Sequence, residues 1–118
     1  MYKRQEKTQK EGDFEALVLQ FLKRKEVKIL ERTSVVKNKE LNFIVQIPSG
    51  LGELQYFVKA KNKRSLNEGD LLLAFAEGQH LKLPTLYLSS GDPTRKAKDY
   101  LGKYLKGMNF LKMKQNSP

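Results

Sequence analysis

A chain of 118 residues has room for one domain and not for two ordinary ones. With no cysteine and a single histidine, His80, it excludes a disulfide framework, a thiolate nucleophile, a sulfur-built zinc site and a multi-histidine metal cage. Hydrophobic residues at 39% against 31% charged predict a modest core under a charged surface, and 23 basic against 13 acidic residues, net +10, point to a polyanion as partner.

Residues 1–11 are almost free of apolar side chains and are expected to form a flexible basic arm. The folded domain is expected over 12–113, with a polar tail over 114–118. Nothing spans a membrane, since the longest apolar run is Leu71 to Ala76. No signal peptide is visible, so the cytoplasm is the expected location.

From Asp13, a plausible N-cap, the residues Phe14, Leu17, Val18, Phe21 and Leu22 recur at helical spacing and predict a helix to about Lys25. Three extended segments follow. Val27 to Thr33 alternates, with Val27, Ile29 and Glu31 on one side. Glu40 to Ile47 sets Leu41, Phe43, Val45 and Ile47 against Glu40, Asn42, Ile44 and Gln46. Glu53 to Lys61 sets Leu54, Tyr56, Val58 and Ala60 against Glu53, Gln55, Phe57, Lys59 and Lys61.

The stretch from Pro48 to Gly52 is turn chemistry and predicts a hairpin. Its register follows from making the apolar faces coincide: with Pro48 opposite Glu53, Asn42 faces Lys59 and Glu40 faces Lys61. The sheet then carries Glu40, Asn42, Lys59 and Lys61 as a polar cluster on one face. A bulge would shift this pairing.

Asn67 to about Lys82 reads as a second helix, apolar around much of its girth from Leu71 to Ala76. Pro84 to Ser89 suits a buried strand. A third helix is expected with Asp92 as N-cap and Pro93 at its first position. Its inner stripe is Ala97, Tyr100, Leu101, Tyr104 and Leu105, and Gly107 is its stop. Met108 to Met113 adds a last short strand. A helix between the third and fourth strands implies that those two run parallel. The expected fold class is α/β, a mixed sheet flanked by helices in the order αβββαβα.

The segments GDFEALVLQFL (12–22), KELNFIV (39–45), LQYFVKAKNK (54–63) and LYLSSGDPTRKA (86–97) together resemble the PD-(D/E)XK nucleases. The look is nearest to Mrr-type restriction endonucleases and archaeal Holliday-junction resolvases. The resemblance spans about residues 12–106 and implies a restriction endonuclease-like core. It also implies site positions. Glu15 matches the family's helix glutamate and Lys61 its catalytic lysine. Asn42 stands where the family has a metal-binding aspartate, and Lys59 where it has the second acid. Gln79 resembles a glutamine of the following helix, and Thr94 and Ala97 resemble the small-residue start of the helix after the fourth strand.

Two of the four central positions depart from that pattern chemically. The family's reaction needs a magnesium-type ion held by carboxylates. Asn42 offers a neutral carbonyl oxygen, and Lys59 brings a cation where a ligand should be. Glu15 and Glu40 either form a relocated site or pair with the lysines; pairing is the favoured reading. The chain is therefore expected to bind nucleic acid, DNA above all, through Lys59, Lys61, Lys63 and Arg64, a stretch with no acid in it. No metal and no cofactor is expected, and no catalysis. The alternative is a magnesium-dependent endonuclease using Glu15, Glu40 and Lys61. A third reading is an interaction module whose helix around Leu71 to Phe75 packs against a second copy of the chain or another protein. His80, isolated, reads as a surface residue, and Tyr100 and Tyr104 as core.

Overall fold

The computed structural model describes residues 14–113. The expected arm, the Asp13 cap and the polar tail lie outside the described residues. Helix α1 covers 14–24. Its first two backbone N–H groups, of Phe14 and Glu15, donate to the Asn38 side-chain Oδ1 at 3.1 and 3.2 Å. The cap thus comes from a turn 23 or more residues away in sequence, where Asn38 adopts a left-handed φ of 57°. Asparagine tolerates that conformation better than most residues.

Strands β1 (Lys28–Val36), β2 (Glu40–Ser49) and β3 (Gly52–Lys61) follow, then β4 (Ser65–Leu66), α2 (Glu68–Leu81), β5 (Thr85–Ser89), β6 (Asp92–Pro93), α3 (Arg95–Tyr104) and β7 (Met108–Lys112). The main sheet has the order β1-β2-β3-β5-β7. Its first three strands are antiparallel, and β3–β5 and β5–β7 are parallel. The mixed α/β fold and the parallel crossover match expectation. The hairpin register does as well: Glu40 lies opposite Lys61, Asn42 opposite Lys59 and Pro48 opposite Glu53. The turn is tighter than its sequence suggests, because the strands stay paired to Ser49 and Gly52.

Three local expectations are corrected. Strand β1 runs on to Val36, and a bulge between Ile29 and Glu31 puts these two residues on opposite faces. The third helix starts later than expected. Asp92 and Pro93 are taken by a two-residue parallel pairing with Ser65 and Leu66, so Thr94 becomes the N-cap, its side chain accepting from the Ala97 N–H at 3.1 Å. That helix ends at Tyr104, leaving Gly107, at φ 93°, in the turn that follows. Tyr104 is not core; it is 65% exposed.

The sheet has two differently filled faces. Under α1, Phe14, Val18 and Leu22 meet Leu41, Phe43, Val45, Val58, Ala60, Leu88 and Met113. Under α2 and α3, Leu71, Ala74 and Ala97 meet Tyr87, Leu66, Leu105 and Met108. Gly78 allows α2 to lie this close, because a Cβ there would fall 1.8 Å from Thr85 Oγ1 on β5.

Candidate functional site

The polar cluster sits on the α2 face, where alternation along β3 presents Lys59 and Lys61 side by side. Lys59 is the most enclosed charged residue described, at 2% exposure. Its Nζ lies 2.6 Å from Glu40 Oε2, on the paired strand β2, and 2.7 Å from Glu77 Oε1, on α2. Lys61 Nζ is 3.2 Å from Asp70 Oδ1 and 3.9 Å from Glu40 Oε1. Lys63, two residues on, places its Nζ 2.6 Å from Asp70 Oδ2. Three ammonium groups thus face three carboxylates, and the cluster is neutral as a unit.

Asp70 is held from two sides. It closes the capping box of α2: its carboxylate accepts from the Asn67 N–H, and its own N–H donates to Asn67 Oδ1, each at 2.9 Å. Burial alone would raise its pKa. The hydrogen bonds from Lys63, the Asn67 N–H and Lys61 outweigh that and hold it below the ordinary aspartate value. Tyr87 is the residue of β5 beside Lys59. Its hydroxyl is buried without a hydrogen-bond partner among the described residues. Burial, then the charges of Asp70, Glu40 and Glu77, push the phenol pKa upward, so the ring stays neutral. It stacks on Phe110 with centroids 5.9 Å apart.

Four of the expected residues are therefore brought together: Glu40, Asn42, Lys59 and Lys61. Asn42 Oδ1 is enclosed and also has no hydrogen-bond partner among the described residues. Asn42 borders an open pocket of about 350 Å³ lined by Phe57, Ala76, Glu77, His80 and Leu81. Two residues stand elsewhere. Glu15 belongs to α1, whose apolar side covers the opposite face, and pairs with Arg32 on β1 at 3.4 Å. Gln79 is exposed and borders a different pocket with Phe75, Lys82 and Lys106. Residue 77, two positions earlier, is the one that α2 turns toward Lys59.

Glu77, Asp70 and Tyr87 are site residues that sequence reasoning passed over. Helical spacing groups the two acids but does not by itself show that their side meets the sheet. Positions 70, 74 and 77 share one side of a helix, and Ala74 on that side is buried.

The donor set does not fit a divalent ion. A hard dication wants anionic oxygens free to coordinate it. Here the carboxylates of Glu40 and Glu77 are bridged by an ammonium, Asp70 is held by two more, and Asn42 contributes a neutral oxygen. Among the described residues, no group of three acids or histidines stands in a metal-holding arrangement.

The element order and the five-stranded mixed sheet flanked by helices are those of a restriction endonuclease-like fold. A solved structure of EndoMS in apo form, a restriction endonuclease-like nuclease, is similar, with a TM-score of 0.58 at 16% identity. The likeness covers 77% of this chain and 39% of that one, so the chain corresponds to about two-fifths of EndoMS. At that identity the likeness shows the fold and leaves the Mrr-type and resolvase subfamilies undistinguished. No family model and no curated protein matches the chain. No described helix is long and apolar enough to cross a membrane.

Proposed function

We propose that this chain is a nuclease-fold domain that holds nucleic acid by its phosphates and does not cut it. One observation carries the reading: the Lys59 ammonium sits between Glu40 and Glu77 at 2.6 and 2.7 Å. A tethered cation fills the place that a metal-dependent nuclease keeps for a mobile one, and no water-activating ion has a seat there. The net charge of +10 supports a polyanion partner, with DNA preferred.

The four lysine and arginine positions take different parts in this proposal. Lys59 is enclosed and acts from within. Lys61 and Lys63 share Asp70 and give up part of their charge to it. Arg64 is exposed and makes no ion pair among the described residues, so it is the direct phosphate contact of the four. Leu72 and Leu73 on α2, at 44% and 53% exposure, are where a second copy of the chain would pack. Light scattering tests that part, and a monomer at every concentration removes it.

Two measurements test the central reading. Affinity for double- and single-stranded DNA is expected at low salt and to fall steeply as salt rises. No binding at low salt rejects the proposal. Plasmid and branched DNA incubated with magnesium or manganese should stay intact. Cleavage that disappears in Lys61→Ala would replace this reading with the endonuclease one.

A further inference from the structure

We infer that the outward side of α3 is a second, more open track for a nucleic-acid backbone, centred on Arg95, Lys96 and Lys103 with the Tyr104 ring beside them. The inference rests on the nucleic-acid reading above and says where the strand lies. Residues 95–106 hold five basic side chains, Arg95, Lys96, Lys98, Lys103 and Lys106, against one acid, Asp99. All five are exposed, and none makes an ion pair among the described residues. The lysines of the sheet face are the reverse case, each tied to a carboxylate. Of the sheet-face and α3 cations, those available to an external anion are therefore the α3 residues, joined by the exposed Arg64, and not the lysines of the pocket.

Arg64 joins this track through the fold. The Asp92 N–H donates to the Arg64 carbonyl at 3.1 Å, and β4 pairs with β6 immediately before α3 begins. Gly91 packs against the same backbone, since a Cβ there would meet the Lys63 and Arg64 carbonyl oxygens at 2.1 and 2.2 Å. Lys96 and Lys103 lie two turns apart on one side of α3, about 10.5 Å along its axis. That is about three nucleotide steps of one duplex strand, at about 3.4 Å each.

Stability does not explain Arg95 and Lys96, although Lys103, in the last turn, suits the negative end of the helix dipole. The opening turn of α3 contains no acid, and its basic residues oppose the positive end of the helix dipole. Helix α2 follows the ordinary rule, with Glu68 and Asp70 in its first turn.

The remaining features favour nucleic acid over a lipid surface. Ala97 and Leu105 are buried, and Tyr100 and Leu101 are half-buried, so the apolar stripe of α3 is spent on the core and cannot enter a bilayer. Tyr104 is left 65% exposed, its ring centroid 5.0 Å from that of Tyr100. An aromatic face among cations offers a surface for a sugar or an unpaired base.

The test compares the full chain with Lys96→Glu/Lys103→Glu, and with Lys23→Glu/Lys28→Glu on α1 and the far edge strand, which changes net charge equally. Fluorescence anisotropy with a short mixed-sequence duplex is read across a salt series. The α3 pair should bind about tenfold or more weakly, with a log–log salt slope smaller by about two, at about 0.9 per lost phosphate contact. Lys96→Arg/Lys103→Arg should bind like the parent. The inference is overturned if the two Glu pairs weaken binding equally, or if the α3 pair binds as tightly as the parent; both results leave the nucleic-acid reading standing. It is also overturned if the parent prefers phosphatidylserine vesicles to the duplex. A parent that binds no duplex at low salt overturns both readings.

Discussion

The sheet face under α1 is sealed by hydrocarbon, from Phe14, Val18 and Leu22 on the helix to Leu41, Phe43 and Val45 on β2. The face under α2 encloses a charged side chain, Lys59, between Glu40 and Glu77. Both faces bury residues of the same two strands, one position apart. The first gains stability in proportion to the apolar area it removes from water. The second must repay the desolvation of every charge it encloses, and apolar residues of similar volume in place of the whole ion cluster would serve stability as well or better. Stability therefore accounts for the first face and not for the second. The ammonium at 59 fixes where two acids point, and that arrangement is what the enclosed charges provide.

The difference predicts two kinds of damage. Phe43→Ala should lose about 4 kcal/mol, the usual cost of deleting a buried ring and leaving a cavity. In urea this appears as a lower midpoint with an unchanged slope. Lys59→Met keeps the volume but strands two carboxylates, and should lose about 3 kcal/mol. The two losses differ in how they are repaired. Adding Glu40→Gln and Glu77→Gln to Lys59→Met should restore most of the stability, whereas no change of charge should rescue Phe43→Ala. If Lys59→Met alone were neutral, the contrast between the faces would collapse.

The faces were not equally readable in the sequence. The hairpin pairing was available because β2 and β3 both alternate cleanly and the loop between them is short, so one register satisfies both apolar sides. Glu40, Asn42, Lys59 and Lys61 could be placed together on that basis alone. Glu77 and Asp70 were hidden because the run from Leu71 to Ala76 is apolar on all sides of α2 and does not show which side meets the sheet. Family likeness assigns Glu15 a place along the chain, but not a face, and α1 packs onto the far one. The pairing of Asp92 and Pro93 with Ser65 and Leu66 is two residues long, too short for alternation to show. Helical spacing gives the direction of Tyr104, but not whether anything lies there to cover it.

A smaller effect sharpens the comparison at the point where the α2 face joins the α3 track. Gly91→Ala should cost about 2 kcal/mol, because the new methyl group would push on the backbone of Lys63 and Arg64, not on a movable side chain. Thermal unfolding measures the loss. DNA affinity, measured well below the melting point, should fall as well, since the same contact aligns Arg64 with α3. A stability loss with unchanged affinity would separate Arg64 from that track.

The smallest expected effect concerns Asp70, whose pKa lies below the ordinary aspartate value of 3.8 in the folded chain. A carboxyl with a lowered folded pKa binds its proton more readily in the unfolded chain. Its contribution to stability is therefore complete above 3.8 and is lost as the pH falls through the folded value. Asp70→Asn removes the charge but leaves an oxygen that can accept from the Asn67 N–H, so the cap of α2 survives while the pairing with Lys61 and Lys63 does not. The variant should be slightly less stable than the parent at neutral pH, and the two should converge as the solution is acidified below about pH 4. Urea titrations at several pH values measure this. Parallel stability curves would mean that Asp70 acts only as a cap. Converging curves would show that its charge is engaged by the two lysines, and hence that these lysines offer less to a phosphate than the unpaired cations of α3.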